Sequence, residues 1–524
     1  MAVDVAAPAL APAARDGLGP LTRRASLNAA ASLLDYGAKI VVGLVVTPIL
    51  VSGLGRSLFG VWEMLGRLGS YMGATDGRPT EALRLIVAQR QGHADDAAKR
   101  RYVGAALVVW ALVLPLVLAG AAVLVWLAPT LTHASADLRG PVRVTCALLV
   151  ASFLLGGMAG VPESVFRGMN LGYKGMGVQA ALNLLGGALA VAAVWTGLGL
   201  TGLGGAAVIR AAVTGLCFLL LARAWVRWLG VARPALREVK TLFGMSVWLS
   251  AGDVVAKLLL ASDVVILGAV VAPALVTTYV LTGYAARTAV GIHVFAAGAA
   301  IPGLGGVLGA GQYDRAARAR RELVLFTWLF VTAVGATVLL WNRSFLGLWV
   351  GAGHYAGTWV NLLIVLLAVQ TAFIRVDAYV LDAALRPRQR VLIGAVAAVL
   401  GLSLGIVLTR LFGIVGLCVA MLAARGVQTV AYPLLARASL GPAAGSGDAG
   451  AGGLRLAAVT AALLGSAALM GERVLVTNWL TWIAGVGASL ALVAGLAVVA
   501  GPTGEGRRAI ARRFRTLLAR GRGA

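Results

Sequence analysis

Between Val103 and Leu127 the chain reads "VGAALVVWALVLPLVLAGAAVLVWL", 25 residues without a charge. As a helix rising about 1.5 Å per residue it would cross a hydrocarbon core about 30 Å thick. Lipid offers the backbone no hydrogen bonds, so a continuous apolar run of this length has to be helical. Comparable runs recur along all 524 residues, 60% of them hydrophobic and 12% charged, with a mean hydropathy of +0.90. The fold class that follows is an all-α polytopic membrane protein. Fourteen spans can be drawn, from 27–51 and 58–77 at one end to 456–470 and 476–500 at the other. The second is the most interrupted, by Glu63, Arg67 and Asp76.

The charge pattern orients the spans. With the N-terminus in the cytoplasm, 32 of the 45 lysines and arginines fall on inner segments, 5 on outer loops and 8 within spans. That is the positive-inside rule, and one miscounted helix would invert every later loop. The net charge of +25 is thus topology, not a nucleic-acid footprint, which would need the bases gathered on one soluble face. Cys146, Cys217 and Cys418 all sit in apolar spans with no paired spacing, so neither a disulfide framework nor a zinc site is indicated.

The expected organisation is a disordered cytoplasmic arm (1–26), six spans (27–222), an inter-lobe linker (223–242), six more spans (243–435), a Gly/Ala linker (436–455), two appended spans (456–500) and a basic tail (501–524). In the tail, Ile510, Phe514, Leu517 and Leu518 make an apolar stripe among arginines, the pattern of a surface helix on anionic lipid.

The two six-span units read as copies. "DYGAK" at 35–39 lies over "DVVAK" at 253–257 at an offset of 218. At an offset of 214, "GLTGLGGAA" (199–207) lies over "GIVGLCVAM" (413–421), with Gly187 over Gly401 and Glu163 over Asp377. An even number of spans per copy puts the pseudo-twofold axis along the membrane normal. Asp35 and Lys39 should then face Asp253 and Lys257 across the repeat interface near mid-membrane, where transporters of this build place their sites.

A charge at a helix centre costs roughly 2.5–3.5 kcal/mol, so these residues must be paired or wetted. Asp followed by Lys at i+4 supplies pairing on one helix face. Each pair is therefore either a self-neutralised structural lock or part of a hydrated cavity. Arg210, Arg287, Arg375 and Arg425 also fall within spans and shift the balance to positive, which suits an anionic substrate bound by Lys39, Lys257 and these arginines. Asp35, Asp253, Asp263 and Asp377 are the candidates for taking a coupling proton or sodium ion.

The stretch "RSLFGVWEMLGRLGSYMGATDGRPTEALRLIVAQRQG" (56–92) resembles the second-span signature of the polysaccharide or lipid-linked oligosaccharide flippases. The corresponding residues are Phe59, Gly60, Trp62, Asp76, Gly77, Ala82, Leu83 and Arg84. "PESVFRGMNLGY" (162–173) and the stretch 243–268, with Asp263 in the family's aspartate position, fit the same family. Arg78-Pro79 departs from it, because small residues usually continue that turn. The resemblance covers about residues 25–435 and implies a two-lobed, alternating-access bundle that turns polyprenyl-pyrophosphate-linked sugars from the inner to the outer leaflet of a bacterial cytoplasmic membrane, often with ion coupling. Multidrug exporters and the lipid II flippase share that superfamily and stay open as alternatives.

A membrane glycosyltransferase or polymerase would need a catalytic cluster at an outer face, but His93, His133, His293 and His354 are isolated residues. No Gly-rich Lys-Ser/Thr nucleotide cradle is present, and nothing in the pattern asks for a cofactor. An envelope-assembly scaffold is the remaining non-transport class, and it would leave the buried bases without a reason.

Overall fold

The structure, a computed structural model, describes residues 18–75, 77–91, 95–298, 301–384, 387–441 and 451–502, together with 504 and 507. The elements are α1 (Leu18–Thr75), α2 (Pro79–Gln89), α3 (Asp96–Leu131), α4 (Arg139–Gly168), α5 (Met176–Trp195), α6 (Gly199–Trp225), α7 (Leu236–Val270), α8 (Pro273–Thr282), α9 (Tyr284–Gly298), α10 (Ile301–Gly309), α11 (Tyr313–Trp349), α12 (Thr358–Ala383), α13 (Pro387–Leu440), α14 (Ala451–Gly471) and α15 (Trp479–Ala500). The protein is an all-α polytopic membrane protein, and 11 helical segments among the described residues are long and apolar enough to cross a bilayer.

Two of those segments are each a pair of helices. Gly55 (φ 74°) splits α1 into two arms, and Gly413 (φ 57°) does the same to α13. Only glycine adopts such dihedrals without penalty. Gly55 falls in the loop expected at 52–57, and Gly413 lies three residues past the break expected at 410. Gly199 (φ 52°) occupies the same position at the start of α6 as Gly413 does at the start of the second arm of α13, at the 214-residue offset. The packing repeats too: Gly187 of α5 admits Val42 and Val46 of α1, while Gly394 and Gly405 of α13 admit Val255 and Ile266 of α7.

Three regions differ from the sequence expectation. Helix α1 begins at Leu18, so 18–26, expected in the arm, belong to the first helix. Ala, Leu and Arg favour helix there, and Pro20 is tolerated in a first turn. Residues 1–17 and most of the basic tail lie outside the described residues.

The second span ends close to its expected limit, but the inner loop after it forms a further helix. The second arm of α1 ends at Thr75, Arg78 adopts left-handed dihedrals (φ 44°, ψ 43°), and α2 starts at Pro79. Gly77 (φ 76°) and Arg78 both take left-handed dihedrals between the two helices, and Pro79 stands in the first turn of α2, where its missing N–H costs nothing.

The third is the inter-lobe segment 223–242, which is strapped to α3. Arg100 Nε donates to the Trp228 carbonyl at 2.8 Å, Ala232 N donates to the Arg100 carbonyl at 3.2 Å, and Arg101 Nε donates to Glu238 at 2.6 Å. A Cβ at Gly104 would collide with the Ala232 carbonyl oxygen, so only glycine lets the strap lie this close. The carboxyl of Glu238 is raised by desolvation, but the hydrogen bonds from Arg101 and the Ala235 N–H and the Arg101 charge outweigh this and hold it below the ordinary value.

Helices α14 and α15 dock on α11 through indole hydrogen bonds, Trp328 to Thr460 at 2.8 Å and Trp341 to Ser489 at 2.9 Å. At the face that the charge pattern assigns to the outside, the lobes are sealed together. Gly60 lies against the Pro273 carbonyl, Thr277 Oγ1 donates to the Arg56 carbonyl at 2.6 Å, and Phe59, Leu281 and Phe345 form one buried cluster.

Candidate substrate cavity

Below that seal a cavity of about 760 Å³ separates the lobes. The second arm of α1 presents Trp62, Glu63, Gly66, Arg67 and Ser70 to it, and Arg78 enters from the helix break. The opposite wall is α7, through the i, i+4 series Trp248, Gly252, Ala256 and Leu260, with Leu249, Asp253, Lys257 and Ala261 one residue on. Arg375 and Asp382 of α12 and Arg390 and Val391 of α13 complete the lining. Asp382 is one residue from the end of α12 and Arg390 is in the first turn of α13, so the mouth reaches the face that the charge pattern assigns to the cytoplasm.

Five cations and three carboxylates line this space. Arg78 bridges to Asp253 at 3.4 Å, and Arg390 pairs with Asp382. Among the described residues Arg67, Lys257 and Arg375 have no carboxylate within ion-pair distance, and neither does Glu63 have a base. The net sign is positive, and a wet cavity lowers the cost of holding the unpaired charges at mid-membrane.

The two pentapeptides take different surroundings. Lys39 Nζ reaches Asp35 at 2.8 Å, as the i+4 spacing predicts. Asp35 also accepts from Asn183 of α5, whose amide oxygen accepts from Arg210 of α6 at 3.5 Å. Asp35, Lys39 and Arg210 thus form a cluster inside the first lobe and do not line the inter-lobe cavity. The helix rotation explains this: Tyr36 turns to α9, with its hydroxyl 3.3 Å from the Thr288 carbonyl and its ring stacked on Phe295, and a residue about 100° around the helix faces α5 instead. The expected Asp253 to Lys257 pair does not form. Asp253 turns to Arg78 across the lobes, and Lys257 is left facing the cavity.

Asp263, Arg287 and Arg425 meet within the second lobe, around a cavity of about 130 Å³. Asp263 accepts from Tyr279 Oη at 2.8 Å and lies 4.0 Å from Arg287. Arg287 in turn donates to the carbonyls of Tyr279 (3.2 Å) and Val280 (2.7 Å), supplying donors that the end of α8 lacks. Asp377 sits apart, in a buried pair with Arg320 at 2.6 Å.

Of the ten predicted site residues, Lys257, Arg375 and Asp253 line the inter-lobe cavity. Arg67, Arg78 and Arg390 were not singled out as site residues. Arg67 was visible as an interruption of the second span, and Arg78 as the departure after the Asp-x-Gly turn. Arg390 carried no such signal, because it counted as an inner-loop topology charge.

No family model matches this sequence, and no curated protein aligns with it significantly. Solved structures do share its fold. An inward-facing multidrug resistance MATE family transporter of the MOP superfamily superposes with a TM-score of 0.66 at 12% identity, covering 78% of this chain and 96% of that one. The lipid II flippase MurJ, in an inward closed conformation, gives 0.67 at 9% identity over 89% of this chain and 97% of its own. A MOP superfamily transporter from Pyrococcus furiosus, described as having a binding pocket of reversed polarity, gives 0.54 at 14% identity over 80% and 96%. The chain is therefore built on the fold that the MOP-superfamily transporters and MurJ share.

Proposed function

We propose that the protein is an alternating-access flippase that carries a polyprenyl-pyrophosphate-linked oligosaccharide or polysaccharide precursor across a bacterial cytoplasmic membrane, with both termini on the cytoplasmic side. The observation that carries this reading is the inter-lobe cavity, in which Arg67, Lys257 and Arg375 are held without carboxylate partners. Guanidinium forks match phosphate oxygens, and a sugar headgroup can stay hydrated in so wide a space. The outer seal and the inner mouth fit a state that loads from the cytoplasmic leaflet. The similarity in fold to a MATE transporter and to MurJ supports a transport cycle.

The coupling ion in this reading is a proton or sodium ion taken by Asp253, Asp35 or Asp263, while Asp377 is committed to Arg320. Release of Asp253 from Arg78 on protonation would loosen an inter-lobe contact, which is the link a coupled cycle requires.

The test is leaflet transfer in proteoliposomes. A labelled polyprenyl-pyrophosphate oligosaccharide, lipid II and a cationic dye would be followed in parallel, with and without a proton or sodium gradient. Transfer of a sugar lipid that is lost in the folded Lys257→Gln, Arg375→Gln double variant supports the reading. Transport of the dye alone, insensitive to those changes, would assign the protein to drug export.

A further inference from the structure

The inter-lobe cavity continues into the second lobe. Between α7, α12 and the two arms of α13 lies a side chamber of about 60 Å³, entered past Arg375 and Arg390, which line both spaces. One water needs about 10–15 Å³ of such room, so the chamber is several waters in size and admits one tetrahedral oxyanion. Its floor is a single face of the second arm of α13: Arg425, Gln428 and Tyr432 at i, i+3 and i+7.

Arg425 is the reason to look for an occupant. It is only 9% exposed, and two of its five donors are engaged by neutral acceptors, Thr371 Oγ1 at 2.9 Å and the Leu259 carbonyl at 2.7 Å. Among the described residues it has no ion-pair partner, and Arg375 has none either. Asp263 shares the neighbouring cavity with Arg425 but is engaged by Tyr279 and lies beside Arg287. Asp382 pairs with Arg390 and lies outside the chamber lining. A buried guanidinium without a counter-charge is costly unless an anion completes it.

The rest of the chamber is organised around that charge. Tyr432 Oη donates to the Arg390 carbonyl at 3.1 Å and accepts from Gln428 at 3.0 Å, which fixes the start of α13 over the chamber. Gly394 permits this packing, since a Cβ there would stand 2.8 Å from Val255. No carboxylate lines the chamber, so it is unsuited to a cation.

We propose that this chamber is a second anion site, taking one phosphate-class oxyanion per chain inside the second lobe, distinct from the headgroup space between the lobes. The inference concerns binding and stands whether or not the flippase reading holds. The oxyanion can be free inorganic phosphate or the phosphate of a lipid.

The purified full-length chain would be titrated with radiolabelled inorganic phosphate in neutral detergent, and with polyprenyl monophosphate in phosphatidylcholine nanodiscs. Wild type should bind saturably, with one equivalent belonging to the chamber beside any held between the lobes. Arg425→Gln and Ala378→Leu should each weaken binding at least tenfold; Ala378 lines the chamber but not the inter-lobe cavity, so leucine there fills only the former. Lys174→Gln, which removes a charge remote from both spaces, should stay within twofold. Should Arg425→Gln fail to fold, Ala378→Leu decides alone. The same variant pattern with polyprenyl phosphate but not with inorganic phosphate keeps the site and assigns it to a lipid phosphate. Absent binding of both probes, or binding indifferent to Ala378→Leu, overturns the proposal.

Discussion

"DYGAK" in α1 and "DVVAK" in α7 share Asp, Ala and Lys at the same spacing, yet they end in opposite arrangements. The first closes on itself and on its own lobe, with Lys39, Asn183 and Arg210 gathered at Asp35. The second opens across the lobes, with Asp253 on Arg78 and Lys257 released to the cavity. Spacing along a helix makes a partner available, and the neighbouring helices decide whether it is taken. Next to α1 stand an asparagine and an arginine. Next to α7 stands the connection between α1 and α2, which delivers a competing guanidinium from Arg78.

The sharpest way to break this comparison is on transport. Lys257→Gln combined with Arg375→Gln should reduce lipid-linked sugar transfer about 100-fold, equivalent to roughly 2.7 kcal/mol of lost stabilisation, with little change in thermal melting. Lys39→Gln should show the reverse, a loss of about 1 kcal/mol in stability, because the ion pair is half exposed, and transfer within a few fold of wild type. Equal transport loss in both would restore the symmetric role of the two pentapeptides.

A next effect bears on the structural charges. Arg320→Gln strands Asp377, whose side chain is 8% exposed, and should cost about 3–5 kcal/mol in a denaturation series. If the protein tolerates it, Asp377 is wetter than its burial indicates and returns as an ion-site candidate. Gly60→Ala puts a methyl into the Pro273 carbonyl and should part the outer seal, read as faster labelling of a cysteine placed at Ser70 by an impermeant reagent added outside.

Asp253→Asn should alter the pH or sodium dependence of transfer several fold, and a larger change in Asp35→Asn would move the coupling site into the first lobe. An unchanged profile at normal rate would remove Asp253 from coupling.

The smallest expected effect is at the strap. The folded carboxyl of Glu238 titrates below the ordinary value of about 4.3, so its contribution is complete above that value and is lost as pH falls through the folded pKa. The protection factors of the amides at 226–242, corrected for the slower intrinsic exchange in acid, should fall on acidification in wild type. Arg101→Gln should show that lower protection already at neutral pH.

The sequence alone determined that the chain is a helical bundle crossing a bilayer many times, because uncharged runs must become helices in lipid. It also carried the repeat, whose offset returns in the backbone at Gly199 and Gly413. It named Lys257, Arg375 and Asp253 as mid-span charges in need of a reason. Only the tertiary structure decided which charges meet. That outcome depends on the rotation of each helix about its axis, which turns Tyr36 to α9 and Asp35 to α5, and on a break that swings Arg78 to Asp253. Arg390, read along the chain as one more inner-loop base, becomes a cavity wall for the same reason: distances between helices are set by packing against neighbours far away in sequence, which no local pattern encodes.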